Sequence, residues 1–160
     1  MYLDLDSGIY DVEQGVRYLT ELVEAGNEYA CYYLGKEYVR KESPYYNETK
    51  GIQYLERAKE QGNDRAKYFV GKIYLDKISS EYSPELGLQY MTELAESGNE
   101  YAQLKLGFEY LKGENVERNI FSSYNYFSQA AAQGNQLAEN MMLDLSTERT
   151  KRRMGSHWGN

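Results

Sequence analysis

Nucleophilic, acid–base or metal chemistry in this chain would have to begin from one histidine, one cysteine and scattered carboxylates. His157 lies in Met154-Gly155-Ser156-His157-Trp158-Gly159-Asn160, a stretch with no periodicity. Nothing there would hold an imidazole against a nucleophile or a metal, so it reads as a spacer residue. The single Cys31 excludes an intrachain disulfide and any cysteine-based metal cluster. It falls at a helical position facing neighbouring helices and reads as a small buried apolar side chain rather than a reactive thiol. The pairs Asp4/Asp6 and Glu21/Glu24 have spacings that invite acid–base or metal proposals. With no histidine beside them, they read as the solvated faces of helices. The glycines are spread along the chain rather than clustered, which excludes a phosphate-binding loop. No catalytic residue, metal ligand or cofactor is therefore predicted.

Charge narrows the partners. The chain carries 25 acidic and 18 basic residues, a formal net charge of −7. Without Lys151, Arg152 and Arg153, 15 basic residues face 25 acidic ones, a balance of −10. Such a body repels phosphate backbones, so nucleic acid is an unfavourable ligand, and the short basic run reads as an aid to solubility. Nothing approaches the roughly 18 consecutive apolar residues of a membrane span, and Met1 to Asp6 contain no basic or apolar leader. The expectation is a soluble, cytoplasmic protein.

The elements that position these residues follow from a repeat. Gly-Asn occurs at Gly26-Asn27, Gly62-Asn63, Gly98-Asn99 and Gly134-Asn135, each 36 residues after the last. Ala30, Ala66, Ala102 and Ala138 keep the same step, as do Tyr18, Tyr54, Tyr90 and Tyr126. Gly35, Gly71 and Gly107 keep it too, with Tyr38, Tyr74 and Tyr110. A fixed period of this size marks a stacked array in which each unit touches only its neighbours. Within residues 27–62, Ala30, Leu34 and Tyr38 share one helical face, Asn27 can cap it, and the segment around Pro44 cannot easily continue it. A second face carries Ile52, Leu55 and Ala58 up to Gly62, a left-handed terminator. Each repeat is a helix–turn–helix. The mid-helix glycines cost about 1 kcal/mol each relative to alanine, so their recurrence calls for close helix packing.

The run Ala30-Cys31-Tyr32-Tyr33-Leu34-Gly35-Lys36-Glu37-Tyr38 resembles the A-x-x-x-L-G-x-x-Y signature of Sel-one-like repeats (SLR), which are related to tetratricopeptide repeats. Gly113 to Asn119 resembles that family's connecting loop, and Tyr126 to Gly134 its second helix. Loops 41–48 and 77–84 depart from the pattern, and Gly15, Gly51 and Gly87 stand where the family usually has alanine. The resemblance implies an all-α, right-handed α-α superhelix (solenoid). Helices are expected at about 11–25, 27–40, 48–61, 63–76, 84–97, 99–112, 119–133 and 135–147. The array spans 1–147, with a partial first repeat, repeats at 27–62, 63–98 and 99–134, and a terminal capping helix at 135–147. Residues 148–160 are expected to form a basic, flexible tail. The truncated first repeat suggests a fragment of a larger protein. Asn-Glu-Tyr-Ala at 27–30 and 99–102 resembles arrays behind relaxases of conjugative elements, which implies, as the alternative function, an accessory module of such an enzyme.

The chain has 18 tyrosines, and seven lie in the framework columns where packing accounts for them. In tetratricopeptide-like units the first helices line the concave face. Three outward columns on them vary while retaining large aromatic and cationic side chains, the types favoured at binding hot spots. They supply a candidate groove of Tyr29, Tyr32, Lys36, Arg65, Tyr68, Lys72, Tyr101, Leu104 and Phe108. The expected function is a non-catalytic scaffold that binds a peptide or partner domain, with Lys36, Arg65 and Lys72 attracting acidic groups. Self-association through the truncated end is a further expected contact.

Overall fold

Every Gly-Asn junction solves the same physical problem: the end of one helix and the start of the next both leave backbone groups unpaired. Gly26, Gly62, Gly98 and Gly134 adopt φ of 82, 84, 90 and 92°, a region that side-chain-bearing residues seldom enter. The next N–H, from Asn27, Asn63, Asn99 or Asn135, then donates back to Leu22, Ala58, Leu94 or Ala130 at 2.9–3.2 Å. Each asparagine side chain turns forward and accepts from the N–H of Ala30, Ala66, Ala102 or Ala138. One dipeptide thus closes a helix and caps its successor.

The computed structural model describes residues 12–155, which form eight α-helices and no strand. These are α1 (Val12–Glu24), α2 (Glu28–Val39), α3 (Glu48–Glu60), α4 (Asp64–Tyr74), α5 (Pro84–Glu96), α6 (Glu100–Lys112), α7 (Ile120–Ala132) and α8 (Gln136–Gly155). The first seven match the expected helices to within one or two residues at each end. The last does not. It continues through 148–155, where a tail was expected, because no glycine or proline interrupts the sequence between Gln136 and Met154.

The chain divides into two compact units. The first comprises Met1–Val70 with Ile78–Glu81, and the second Gly71–Lys77 with Tyr82–Asn160. In the first, Val16, Val23, Ala30, Cys31, Leu34, Ile52, Leu55, Ala58, Ala66 and Val70 are buried. In the second, Met91, Leu94, Ala102, Leu106, Phe127, Ala130 and Ala138 are buried. Leu143, at the column that carries glycine in the preceding repeats, is exposed.

Close approach explains the glycines. A Cβ on Gly35 would lie 2.7 Å from Leu55 Cγ and 2.9 Å from the Gly51 carbonyl oxygen. A Cβ on Gly51 would in turn lie 2.5 Å from Val39 Cγ1 and 2.9 Å from the Gly35 oxygen. Both helices need a missing side chain at the crossing, which accounts for glycine where alanine was the family expectation. Between α6 and α7, Ser123 stands at the column of Gly51 and Gly87, and its hydroxyl donates to the Gly107 oxygen at 2.8 Å. The two framework tyrosine columns pair with one another. Tyr38 and Tyr54 stack with centroids 5.7 Å apart, and Tyr110 and Tyr126 repeat that geometry at 5.7 Å. Tyr74 and Tyr90 meet at a tilt, 6.0 Å apart. These rings hold the two helices of a pair together.

Candidate binding cleft

In the first unit, α2 presents aromatic side chains toward the turn between α3 and α4. Spacing places them: Tyr29, Tyr32 and Tyr33 lie three and four residues apart, on one side of a helix whose opposite side buries Ala30, Leu34 and Tyr38. They border a cleft of about 470 Å3 whose other wall is Gln61-Gly62-Asn63-Asp64-Arg65. Tyr29 is 74% exposed and Tyr33 52% exposed, large values for aromatic residues. Tyr32 is half-buried and meets the Tyr33 ring edge-on at 5.2 Å.

Two cations border this surface. Arg65 lines the cleft and is exposed. Lys36 places its Nζ 5.5 Å from the centroid of Tyr32 and 5.8 Å from that of Phe69, close enough for cation–π attraction. Asp64 also lines the cleft, but it stands in the first turn of α4, where the helix dipole offsets its charge. A third cation belongs to the framework. Lys50 donates to the Tyr38 hydroxyl at 2.9 Å, and that bond raises its pKa above the ordinary 10.5.

The proposed groove residues thus have different surroundings. Tyr29, Tyr32 and Arg65 come together around the cleft, Lys36 lies against Tyr32, and Tyr68 is half-buried in the same unit outside the cleft lining. In the second unit, Lys72 is exposed and Tyr101 is 60% exposed. Leu104 and Phe108 pack against a cluster of Phe127, Ala130 and Ala138, with the Phe108 and Phe127 rings edge-on at 5.1 Å. Both are half-buried, so part of their apolar surface is engaged in the fold and part is not.

Tyr33 and Gln61 were missed by the sequence reading. The signal was present for Tyr33, since its column reads Tyr33, Phe69, Lys105, Met141, another varying mixture of aromatic and cationic types. Gln61 gave none, because a polar residue before a turn looks the same whether it lines a cleft or faces bulk water. Among the other candidates, His157 and Asp4/Asp6 lie outside the described residues, and Glu21 pairs with Arg17 at 3.9 Å on the exposed side of α1. Cys31 is a buried free thiol.

The 36-residue unit recurs in known proteins. The Sel1 repeat family model matches residues 28–63, 64–99 and 100–135, one residue later than the repeat boundaries drawn from the sequence. No curated protein matches the chain. Among solved structures, it is similar to a protective antigen with an SLR fold from uropathogenic Escherichia coli, at 24% identity and a TM-score of 0.71. That match covers 82% of this chain and 28% of the antigen, so the chain spans under a third of that relative's length. It is also similar to a Sel1 repeat protein from Oxalobacter formigenes, at 24% identity and a TM-score of 0.64, covering 73% of this chain and 89% of that one. Cysteine-rich protein B of Helicobacter pylori shares the fold at 21% identity and a TM-score of 0.57, covering 84% and 98%. Since three consecutive repeats account for well over half of the residues, the chain belongs to the Sel1 repeat family.

Proposed function

We propose that this chain is a non-catalytic scaffold that binds a peptide or a partner domain through side chains on the first helices of its repeats. Sel1 repeat proteins generally serve as protein-interaction scaffolds and are typically non-enzymatic. The observation that carries the reading here is the cleft of the first unit, where tyrosines that would gain by burial stand in solvent beside Arg65. In the first unit Lys36 and Arg65 would draw acidic groups of the partner, with Tyr68 adding contact area; in the second unit Lys72 and Tyr101 offer the same side-chain types by themselves. Leu104 and Phe108 would contribute only the parts of their side chains that the core leaves uncovered.

No described helix is long and apolar enough to cross a membrane. The buried free thiol suits a reducing, cytoplasmic setting.

The test is an unbiased pull-down with the full-length protein, followed by titration of a confirmed partner against Tyr68→Ala and Lys72→Glu. A loss of about 1–2 kcal/mol per hot-spot substitution, roughly 5- to 30-fold in affinity, is expected. Unchanged affinity for both variants would remove these residues from the binding surface.

A further inference from the structure

The turn after α3 and the turn after α7 have the same backbone but different side-chain anchoring. In the second unit, Gln133 Nε2 donates to Gln103 Oε1 at 2.7 Å, and Gln103 Nε2 donates to the Ala95 carbonyl at 3.1 Å. Asn135 Nδ2 reaches Glu100 Oε1 at 3.5 Å. The turn between α7 and α8 is therefore laced to α6. In the first unit the residue equivalent to Gln103 is Cys31, which is buried and has no amide to offer. Among the described residues, Gln61, the equivalent of Gln133, makes no side-chain hydrogen bond. Instead it lines the opening opposite Tyr29, Tyr32 and Tyr33.

We infer that this opening, beside a repeat that carries Cys31 where a later one carries Gln103, is a recognition pocket for one aromatic side chain, carried on an acidic peptide. This rests on the scaffold reading above and names the ligand chemistry of its first unit. Three features select that ligand. The Tyr32 and Tyr33 rings stand edge-on, so they offer a face and an edge to a third ring, and such aromatic contacts are favourable beyond their buried area. The Gln61 side chain has donors and an acceptor free to meet a phenol or an indole N–H. Arg65 is an exposed cation in the lining and Lys36 an exposed cation against Tyr32, while the one lining carboxylate, Asp64, is offset by the start of α4. Carboxylates flanking the aromatic residue would meet the two cations, and arginine suits them through its forked donors.

The probes are three fluorescein-labelled peptides, Gly-Glu-Glu-Trp-Glu-Glu-Gly, its Trp-to-Ala analogue and its Glu-to-Lys analogue, titrated with the full chain by fluorescence polarisation. Saturable binding of the first is expected, at least tenfold tighter than either analogue and weaker as salt rises. Tyr29→Ala and Arg65→Glu, both at exposed positions, should each weaken it at least fivefold with the helical circular-dichroism signal unchanged. Cys31→Gln, which would offer Gln61 the kind of amide that Gln103 offers Gln133, should also weaken it. Equal binding of the lysine peptide, no binding of the tryptophan peptide, or indifference to Tyr29→Ala and Arg65→Glu would overturn the pocket. A protein partner captured independently of Tyr29 and Arg65 would keep the scaffold reading and remove only the pocket.

Discussion

The turn after α3 and the turn after α7 share a glycine in the left-handed region, an asparagine cap and a return hydrogen bond, yet only one is laced to the preceding first helix. In the second unit a chain of amides from Ala95 through Gln103 to Gln133 fills the space beside the turn. In the first, Cys31 ends that chain before it starts, and tyrosines border a cleft instead. Backbone identity and surface identity are thus set by different residues. The period fixes how helices meet; what lies beside the junction depends on a few side chains that the period leaves free.

Helix crossings are tight in both units, and loosening them has the largest expected effect. Gly107→Ala would put a methyl group 2.5 Å from the Phe127 ring, and Gly35→Ala one 2.7 Å from Leu55. Each should lose about 1–3 kcal/mol in urea denaturation, despite alanine's better helix propensity. A neutral result for either would show that its crossing can relax.

Gln103→Ala removes the central amide of the second unit's tether and leaves the Ala95 carbonyl and the Gln133 amide without it. A loss of about 1–2 kcal/mol is expected by the same measurement, with faster amide exchange around Gly134. Exchange that is unchanged there would mean the tether does not anchor the turn. Ser123→Ala tests a smaller difference, between the α6–α7 crossing and those that carry Gly51 and Gly87: one hydrogen bond to the Gly107 oxygen. It should cost about 0.5–1.5 kcal/mol.

The smallest effect concerns the stacked tyrosines. Burial, with smaller contributions from Tyr110 and Glu96 and against a hydrogen bond to Thr92, raises the Tyr126 phenol above 10.0. Its folded-state pKa exceeds the unfolded value, so the stability linked to it is fully present below about pH 10 and is lost as pH rises through the folded pKa. Tyr126→Phe should flatten the alkaline side of the stability profile relative to the wild-type chain. A profile of identical shape would show that the ring titrates alike in both states.

The framework was legible because a repeat supplies its own internal comparison. Gly35 beside Gly71 and Gly107, and Tyr38 beside Tyr74 and Tyr110, can be seen to be fixed within one chain. Even so, the pairing of the two tyrosine columns was not visible, since periodicity shows what recurs and not what touches. Cys31 was correctly read as buried, but the consequence of its lacking an amide required Gln103 and Gln133 to be seen bonded. Phe108 and Leu104 were assigned to a groove by column position. In the structure they pack on Phe127 and its neighbours, because the residues that follow supply apolar surface to bury them. The end of α8 was misplaced because loss of framework residues such as Gly at Leu143 marks the end of the repeat pattern, not of the helix.

The connectors carry a consequence of their own. Gly-Asn junctions satisfy their backbone groups locally, so excision of 36 residues between two of them would leave sound helix ends. The connector after α6 is different: Asn115 bonds the Leu75 carbonyl, the Glu109 carboxylate and the Tyr82 hydroxyl at once. A repeat moved in front of it must therefore offer a carbonyl and a hydroxyl at the same two columns, as Val39 and Tyr46 would, or leave Asn115 with only the Glu109 carboxylate of its own repeat.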